Sequence, residues 1–342
     1  MRKALVIGGT GTISAAVVRR LDASGEWEVW VLNRGRRKPA AGEHIHPLTA
    51  DMADEAAAAV LLDGMAFDTV CEFIGFEPSQ VERDVRLFAG KTRQYIYISS
   101  ASAYHKPAAS PFLTEGTALA NPYWLYSRNK IACENVLMDQ YRTNGFPVTI
   151  VRPSHTYDES HVPVAVHGEK GSWQVVRRMM EGKPVIIPGD GSSLWTVTFN
   201  TDFAVGFTGL MGNPHAIGEA FQITGDEVLT WNQIYQTIAD ALGVPLHAFH
   251  VSSDFLAKAG PQYDLTGALL GDKSVSVLFD NRKLKRAVPE MTTAVPFHRG
   301  VRIALDHILA HPELQVPDPA FDAFCDRIIR AQEKALSEVL GK

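Results

Sequence analysis

The stretch VIGGTGTIS, residues Val6 to Ser14, decides how the fold of the first half of this chain is interpreted. Gly8 and Gly11 lie three residues apart, and the next position at that spacing holds Ser14. An apolar run, Ala4–Ile7, precedes the glycines, and apolar residues at helical spacing follow them. Strand, glycine-rich turn and helix are the context in which a turn can hold a dinucleotide pyrophosphate at a helix N-terminus. A plain turn between a strand and a helix is the alternative.

The rest of the first half alternates short apolar runs with helical patterns. Further strands are predicted at Glu28–Asn33, Ile45–Thr49, Thr69–Ile74, Tyr95–Ser99 and Val148–Arg152. Helices are predicted at Asp54–Leu62, Ser79–Phe88 and Tyr123–Arg142. Strands that alternate with helices imply right-handed crossovers, so this pattern predicts an α/β fold with a doubly wound parallel sheet covered on both faces.

Beyond Pro153 the pattern changes, because proline and glycine become frequent and the helices become shorter. The clearest later helices are predicted at Thr230–Leu242 and Ala320–Leu340. We expect residues 1–155, with returning segments around 198–225, to form the larger domain. Residues 156–197 and 226–342 are expected to form a smaller C-terminal lobe that includes the last helix.

Composition and charge exclude several classes of protein. The formal net charge is -5 and no long basic stripe is present, so we expect no nucleic-acid partner. No apolar stretch reaches the ~20 residues of a membrane-spanning helix, so no membrane partner is expected. The cysteines form no CxxC pair, which indicates a reducing, cytoplasmic compartment. The histidines lack the spacing of ligands, so no metal is expected.

The end of the second predicted strand indicates which dinucleotide is bound. A carboxylate here would bind the ribose hydroxyls of NAD, but the chain reads Asn33-Arg34-Gly35-Arg36-Arg37-Lys38. Four cations crowd this loop of an otherwise acidic protein, and guanidinium groups match the geometry of a 2'-phosphate. The loop therefore favours NADP(H), with NAD(H) possible. A solvated basic loop without a ligand is the alternative.

Tyr126 and Lys130 form a candidate catalytic pair inside the long predicted helix. Four residues place both side chains on one helix face, roughly 6 Å apart along the axis. A lysine cation about 4 Å from the phenol contributes about 4 kcal/mol at an effective dielectric of about 20, or roughly three pKa units. That change brings the tyrosine closer to the range in which general acid–base catalysis is efficient. Ser99, Ser100 and Ser102 lie at the C-terminal end of the fifth strand, where open parallel sheets bind ligands.

Together these motifs resemble the short-chain dehydrogenase/reductase superfamily, in its extended branch of NAD(P)-dependent epimerases, dehydratases and reductases. The resemblance is carried by Gly8-x-x-Gly11, Asp51, Ser100, Tyr126/Lys130, Arg152–Tyr157, Asp202–Ala204, Gly218–Thr224 and Thr230-Trp231. It implies a Rossmann-type NAD(P)-binding domain followed by a substrate-binding lobe. It also implies a homodimer built on helices Ser79–Phe88 and Tyr123–Arg142.

The resemblance implies a role for each matching residue. Tyr126 is the expected acid/base, Lys130 binds the nicotinamide ribose and Ser100 binds the reacting oxygen. Asp51 is expected near the adenine, and Pro153 near the nicotinamide. The full predicted cofactor set is Gly8, Thr10, Gly11, Thr12, Ile13, Asn33, Arg34, Arg37, Asp51, Met52, Tyr126, Lys130 and Pro153. The predicted substrate contacts are Ser102, Tyr123, His155, Tyr157 and Trp195.

Departures from the family pattern narrow the expected chemistry. Ser14 stands where a third glycine is usual, and Ala101 and Ser102 stand where sugar-nucleotide dehydratases carry two carboxylates. Dehydration is therefore not expected. The sequence predicts an oxidoreductase that transfers hydride to or from a hydroxyl or keto group of a small carbohydrate substrate, a sugar or nucleotide sugar. An epimerase of the same branch is the first alternative. A cofactor-sensing or RNA-binding protein without turnover is the second, although the retained Tyr126/Lys130 pair and the negative charge oppose it.

Overall fold

The computed structural model describes residues 1–341 and divides into two compact units. The first unit comprises Met1–Thr156, Thr198–Asp226 and Phe279–Ala294. The second unit comprises Tyr157–Val197, Glu227–Leu278 and Val295 to the C-terminal helix. Phe279–Ala294, which the sequence analysis grouped with the C-terminal lobe, thus belongs to the first unit. The roles assigned to the two lobes stay predictions.

The helices and strands are numbered in chain order. The strands are β1 (Arg2–Ile7), β2 (Trp27–Asn33), β3 (Ile45–Thr49), β4 (Thr69–Glu72), β5 (Tyr95–Ile98), β6 (Phe112–Leu113), β7 (Val148–Pro153), β8 (His155–Tyr157), β9 (Val185–Pro188), β10 (Leu194–Trp195), β11 (Val197–Phe199), β12 (Ala220–Ile223), β13 (Leu229–Thr230), β14 (Ala248–Val251) and β15 (Leu278–Phe279). The helices are α1 (Thr12–Ser24), α2 (Glu55–Leu61), α3 (Pro78–Phe88), α4 (Leu125–Asn144), α5 (Trp173–Met180), α6 (Asn200–Leu210), α7 (Trp231–Leu242), α8 (Ser253–Ala259), α9 (Arg282–Ala287), α10 (Phe297–Ala310) and α11 (Pro319–Val339).

The first unit is built on a seven-stranded sheet in the order β12-β7-β5-β4-β1-β2-β3. Every neighbouring pair is parallel, and the central strand β1 pairs on one side with β2 and on the other with β4. The chain leaves β1 and β4 toward opposite edges of the sheet, which opens a crevice at their carboxyl ends. The prediction of a doubly wound, Rossmann-type parallel α/β fold is confirmed.

Alternating side chains of β1 build a core on each face of the sheet. Ala4 and Val6 belong to a buried cluster that includes residues of α1 and α6. Leu5 and Ile7 belong to a second buried cluster that includes residues of α3 and α4. Because successive strand residues point to opposite faces, the unbroken apolar run Ala4–Ile7 places helices on both sides.

Helix α4, which carries the candidate catalytic pair, begins two residues later than predicted. The Asn121 side-chain oxygen accepts the backbone N–H groups of Tyr123 and Trp124 at 3.1 and 3.2 Å. A side chain that satisfies these backbone groups favours a turn over a helix, so Leu125 is the first helical residue. The helix ends where Gly145 adopts a φ of 69°, a left-handed conformation that glycine tolerates well.

The second unit is mainly helical, with short two-stranded sheets that pair β9 with β14 and β10 with β13. Thr230 caps α7 by accepting the N–H of Gln233. A π-helical segment, Thr266–Lys273, was not anticipated from the sequence. Over residues 1–341, no helix combines the length and the apolar character that crossing a bilayer requires.

Candidate active site

A cleft of about 640 Å³ lies in the first unit at the crevice between β1 and β4. Its wall includes the predicted cofactor residues Gly8, Thr10, Gly11, Asn33, Arg34, Arg37, Asp51 and Met52. They come from the turn after β1, the loop after β2 and the loop after β3. Distant parts of the chain therefore meet at one edge of the sheet, where ligands bind in this class of fold.

The glycine turn is tied together by the serine that replaces the third glycine. Gly8 has a φ of 83°, a backbone conformation that residues other than glycine rarely adopt. The Ser14 hydroxyl donates to the Gly8 carbonyl at 2.6 Å and accepts the Gly11 N–H at 3.0 Å. Ser14 is 2% exposed, so these bonds form inside the protein. The serine thus braces the turn from within.

Gly9 provides the close approach between turn and sheet that a third glycine often allows. A side chain at Gly9 would lie 2.7 Å from Val31 of β2 and 3.3 Å from Val18 of α1. The sequence alone gives Gly9 no role, because this requirement depends on how α1 packs against the sheet. Because the close contact with the sheet is made at Gly9, the fold tolerates a serine side chain at position 14.

The cleft offers groups that suit a dinucleotide. The first turn of α1 presents backbone N–H groups without helical acceptors, which attract an anion such as a pyrophosphate. The amide nitrogen Nδ2 of Asn33 is buried and has no hydrogen-bond partner within residues 1–341. Arg34, Arg36 and Arg37 are exposed beside it and line the same cleft. These donors fit an anionic nucleotide, and their role as its ligands stays a prediction.

Lys130 is buried between the carboxyl ends of β4 and β5. Its ammonium donates to the carbonyls of Gly75, after β4, and Ile98, at the end of β5, both at 2.7 Å. It also lies 4.7 Å from the ring centre of Phe76. The side chain is 1% exposed, and burial lowers its pKa to about 8. The fold thus holds a cation whose charge is lost at mildly alkaline pH.

Tyr126 lies next to this cation on the same helix. The Lys130 ammonium is 5.8 Å from the centre of the Tyr126 ring, and Trp124 and Phe76 are the ring's aromatic neighbours. The helical spacing of four residues therefore brings ring and cation together. The role of Tyr126 as acid/base stays a prediction.

Ser100 is held by a network of hydroxyl groups at the end of β5. Its Oγ lies 2.9 Å from the Oγ of Ser102, and it accepts the Ser102 N–H at 3.2 Å. The Ser127 hydroxyl, from α4, donates to Ser102 at 2.7 Å. Ser102 is 3% exposed and orients Ser100, and its predicted substrate contact stays a prediction.

A buried ion pair supports the adjacent Ser99. Arg152 of β7 binds both oxygens of Glu134 at 2.9 and 2.6 Å, and the Ser99 hydroxyl donates to the same carboxylate at 2.5 Å. Bidentate arginine–carboxylate pairs of this kind fix geometry as well as charge. The pair therefore joins β5, α4 and β7 behind the serine network.

The remaining predicted residues lie outside the wall of this cleft. Thr12, Ile13 and Pro153 are not among its lining residues, nor are Tyr126 and Lys130. Among the predicted substrate contacts, Tyr123 is 40% exposed. Tyr157 and Trp195 are each 2% exposed and pack in the second unit, against Phe297 and Trp231 respectively. The substrate roles of these residues and of His155 stay predictions.

Part of the cleft wall was not predicted from the sequence. The missed residues that line it include Ile74, Phe76, Gln80 and Arg83. Ile74 ends a predicted strand and Phe76 comes two residues later, so their place at the carboxyl end of that strand was a usable signal. Gln80 and Arg83 lie on α3, and nothing local in the sequence points to them. Within residues 1–341, no group of three or more His, Cys, Asp or Glu side chains could hold a metal ion.

Comparison with known proteins gives this architecture a family. The chain is 25% identical to 2'-dehydrokanamycin reductase of Streptomyces kanamyceticus over 75% of this chain and 71% of that protein. It is 28% identical to the chloroplast stem-loop binding protein of 41 kDa b of Arabidopsis thaliana, over 71% of this chain and 64% of that protein, slightly less than two thirds. The solved dTDP-glucose 4,6-dehydratase of Bacillus anthracis str. Ames, in complex with NAD, has the same fold, with a TM-score of 0.72 and 16% identity over 92% of this chain and 98% of that one. The sequence model of the NAD dependent epimerase/dehydratase family matches residues 4–224, and this chain therefore belongs to that family.

Proposed function

We propose that this protein is an NAD(P)-dependent oxidoreductase acting on a hydroxyl or keto group of a sugar or nucleotide sugar. Family membership supports the class of reaction. The relative named as a reductase of 2'-dehydrokanamycin supports reduction of a keto group. The observation that carries the proposal is the buried Lys130 ammonium, held by two carbonyls beside the ring of Tyr126.

Each residue then has a defined task. The Tyr126 hydroxyl transfers a proton to or from the reacting oxygen, and the Lys130 cation stabilises the phenolate that remains. The Ser100 hydroxyl holds that oxygen by a hydrogen bond. The nicotinamide, when bound, supplies or accepts the hydride. Absence of carboxylates at Ala101 and Ser102 argues against dehydration.

We propose that NADP(H) is the preferred cofactor, with NAD(H) as the alternative. The turn from Gly8 to Gly11 and the start of α1 would hold the pyrophosphate. Arg34 and Arg37 would bind the 2'-phosphate, because their guanidinium groups match its geometry and line the cleft. Asp51 would approach the adenine. The Asn33 Nδ2, which has no hydrogen-bond partner within residues 1–341, would be a further donor to the bound nucleotide.

The test begins with a panel of sugars and nucleotide sugars, assayed with the purified chain and both dinucleotides. For the substrate found, Tyr126→Phe should reduce turnover by about 10²- to 10⁴-fold, the usual contribution of a general acid–base. Dinucleotide affinity should be unchanged. Tyr141→Phe, which removes a hydroxyl from the other end of the same helix, should leave turnover as in the wild type. Full turnover by Tyr126→Phe would remove Tyr126 from the mechanism.

An epimerase is the second candidate, since the family includes such enzymes. An epimerase keeps its dinucleotide bound through both half-reactions, whereas a reductase exchanges it after each turnover. The purified protein therefore separates the two. A nicotinamide absorbance that persists after gel filtration favours epimerase, and a chain that is purified empty and binds added NADPH favours oxidoreductase.

Two further proposals concern partners. Helices α3 and α4 lie side by side on one face of the sheet, and we propose that they form a homodimer interface. Light scattering should give twice the mass of one chain.

A relative is named for stem-loop binding, but the net charge of -5 opposes binding to phosphate-rich RNA. RNA affinity that falls steeply with salt would overturn that view.

A further inference from the structure

A buried pair of acidic side chains lies behind the loop Phe73–Phe76, which follows β4. Glu72, the last residue of β4, and Asp84 of α3 are both fully buried. Asp84 has strong partners: Arg83 donates to its Oδ1 at 2.9 and 2.7 Å, and the Tyr95 hydroxyl donates to its Oδ2 at 2.7 Å. Burial raises the pKa of Asp84, and these donors oppose that shift by favouring its ionised form.

Glu72 has a different environment. Its Oε1 accepts the N–H of Ile74 at 2.5 Å, and no N–H donor within residues 1–341 reaches its Oε2. The Asp84 side chain acts directly on Glu72, so two carboxyl groups share one buried site. Burial first, and then the neighbouring Asp84 carboxylate, raises the pKa of Glu72 well above its usual range. Of the two carboxyls, Glu72 is the one whose environment favours the protonated form more strongly.

The loop that Glu72 braces connects two parts of the candidate active site. Ile74 packs so closely on the glycine turn that a side chain at Gly8 would lie 2.4 Å from it. The Gly75 carbonyl accepts hydrogen bonds from Lys130 at 2.7 Å and from Tyr97 at 3.0 Å. A displacement of this loop would thus move both the cleft wall and an anchor of the lysine.

The acidic pair is also connected to the far side of the cleft. Arg83 donates from its Nη1 to the carbonyl of Met52 at 2.9 Å, and both residues line the cleft. Asp84, Arg83 and Met52 are therefore joined by hydrogen bonds, and Glu72 lies against Asp84 at one end of this chain. Every link in this chain is buried, where an unpaired polar group is costly.

We propose that Glu72, which accepts the Ile74 N–H and lies against Asp84, is a positioning residue for the cofactor cleft and for Lys130. This inference rests on the proposed function, since it takes the cleft to hold a nicotinamide dinucleotide. Glu72 touches neither substrate nor cofactor in this role. It acts by holding the loop Phe73–Phe76 against Gly8 and Lys130.

The test compares three variants by NADPH and NADH binding, measured by fluorescence titration. Glu72→Leu leaves the Ile74 N–H unpaired and should weaken affinity by about tenfold, the equivalent of one buried hydrogen bond. Glu72→Gln should bind within about twofold of the wild type, because its amide oxygen can accept from Ile74 and its amino group can donate to Asp84. Gln94→Leu is the control, since it removes buried hydrogen bonds at the amino ends of the strands, away from the cleft. It should lower stability without changing affinity.

Amide hydrogen exchange without dinucleotide supplies a second readout. Exchange over Phe73–Phe76 should be faster in Glu72→Leu than in the wild type or in Gln94→Leu. Wild-type exchange and affinity in Glu72→Leu, or a Glu72→Gln defect as large as that of Glu72→Leu, would overturn the positioning role. A wild-type chain that binds neither NADPH nor NADH would instead overturn the proposed function, while the exchange measurement still decides how the loop is held.

Discussion

At the scale of single residues, the site depends on one buried cation. Lys130 makes two hydrogen bonds to backbone carbonyls and lies among the rings of Phe76, Tyr97 and Tyr126. Carbonyl oxygens and aromatic faces favour the charged form, but burial removes water and disfavours it. Burial is the larger effect, so the pKa is lowered to about 8. A small change of pH can therefore switch the charge that faces Tyr126.

This residue predicts a pH dependence of turnover. The lysine is charged below about pH 8 and neutral above it. Because the neutral amine no longer stabilises the Tyr126 phenolate, kcat/KM should decline as the pH rises through about 8. The measurement is the pH profile of kcat/KM for the substrate identified in the screen.

Lys130→Arg provides the control for this prediction. A guanidinium stays charged throughout the accessible pH range, although its shape differs from that of an ammonium. The variant should be slower overall, but its decline near pH 8 should disappear. If the decline persists unchanged in Lys130→Arg, a group other than Lys130 causes it.

At the scale of elements, the turn between β1 and α1 shows how a departure from the family motif is compensated. Gly9 allows the turn to pack closely against β2 and α1. The Ser14 hydroxyl forms hydrogen bonds with both Gly8 and Gly11. The turn is therefore held by side-chain hydrogen bonds as well as by glycine conformation. Ser14 therefore stabilises the turn.

Ser14→Gly, which restores the usual third glycine, should therefore weaken the protein. The change removes two buried hydrogen bonds and should lower the free energy of unfolding by about 1–3 kcal/mol. Dinucleotide affinity should also fall, because the freed turn must be ordered again on binding. Urea unfolding and fluorescence titration measure the two effects.

Ser14→Ala separates the causes, since it removes the hydroxyl without adding backbone freedom. It should show most of the stability loss of Ser14→Gly. A glycine variant that is as stable as the wild type and binds the dinucleotide more tightly would show that the hydroxyl bonds contribute nothing.

At the scale of the whole molecule, cofactor binding should be visible as stabilisation of the fold. A ligand that binds only the folded state adds about 2.7 kcal/mol when present at one hundred times its Kd. If the arginine loop binds a 2'-phosphate, NADPH should raise the Tm more than NADH at equal concentration. Thermal unfolding monitored by fluorescence measures this difference directly.

The double variant Arg34→Ser/Arg37→Ser should abolish the advantage of NADPH and keep the smaller effect of NADH. Arg93→Ser is the matched control, because its side chain is 86% exposed and lies outside the cleft wall. Equal Tm shifts with both dinucleotides in the wild type would contradict the preference for NADP(H).

The architecture of the first unit could be predicted from the sequence because its signals are local. The apolar run Ala4–Ile7, the glycine turn and the helical spacing after it identify strand, turn and helix by their own periodicity. The order of these elements then leaves few topologies, since crossovers between parallel strands are right-handed. Tyr126 and Lys130 could be paired for the same reason, because helix geometry alone puts them on one face.

Only the tertiary structure decided which residues brace this site. Glu72 and Asp84 lie on different elements, and their contact exists because β4 and α3 pack together inside the protein. The contact of Ile74 with Gly8 likewise depends on β4 lying beside β1, a neighbour relation that no local pattern encodes. The strands and the candidate chemical groups were thus determined by sequence periodicity. Their burial, which sets the charge of Lys130 and the proton of Glu72, arises only when distant segments exclude water together.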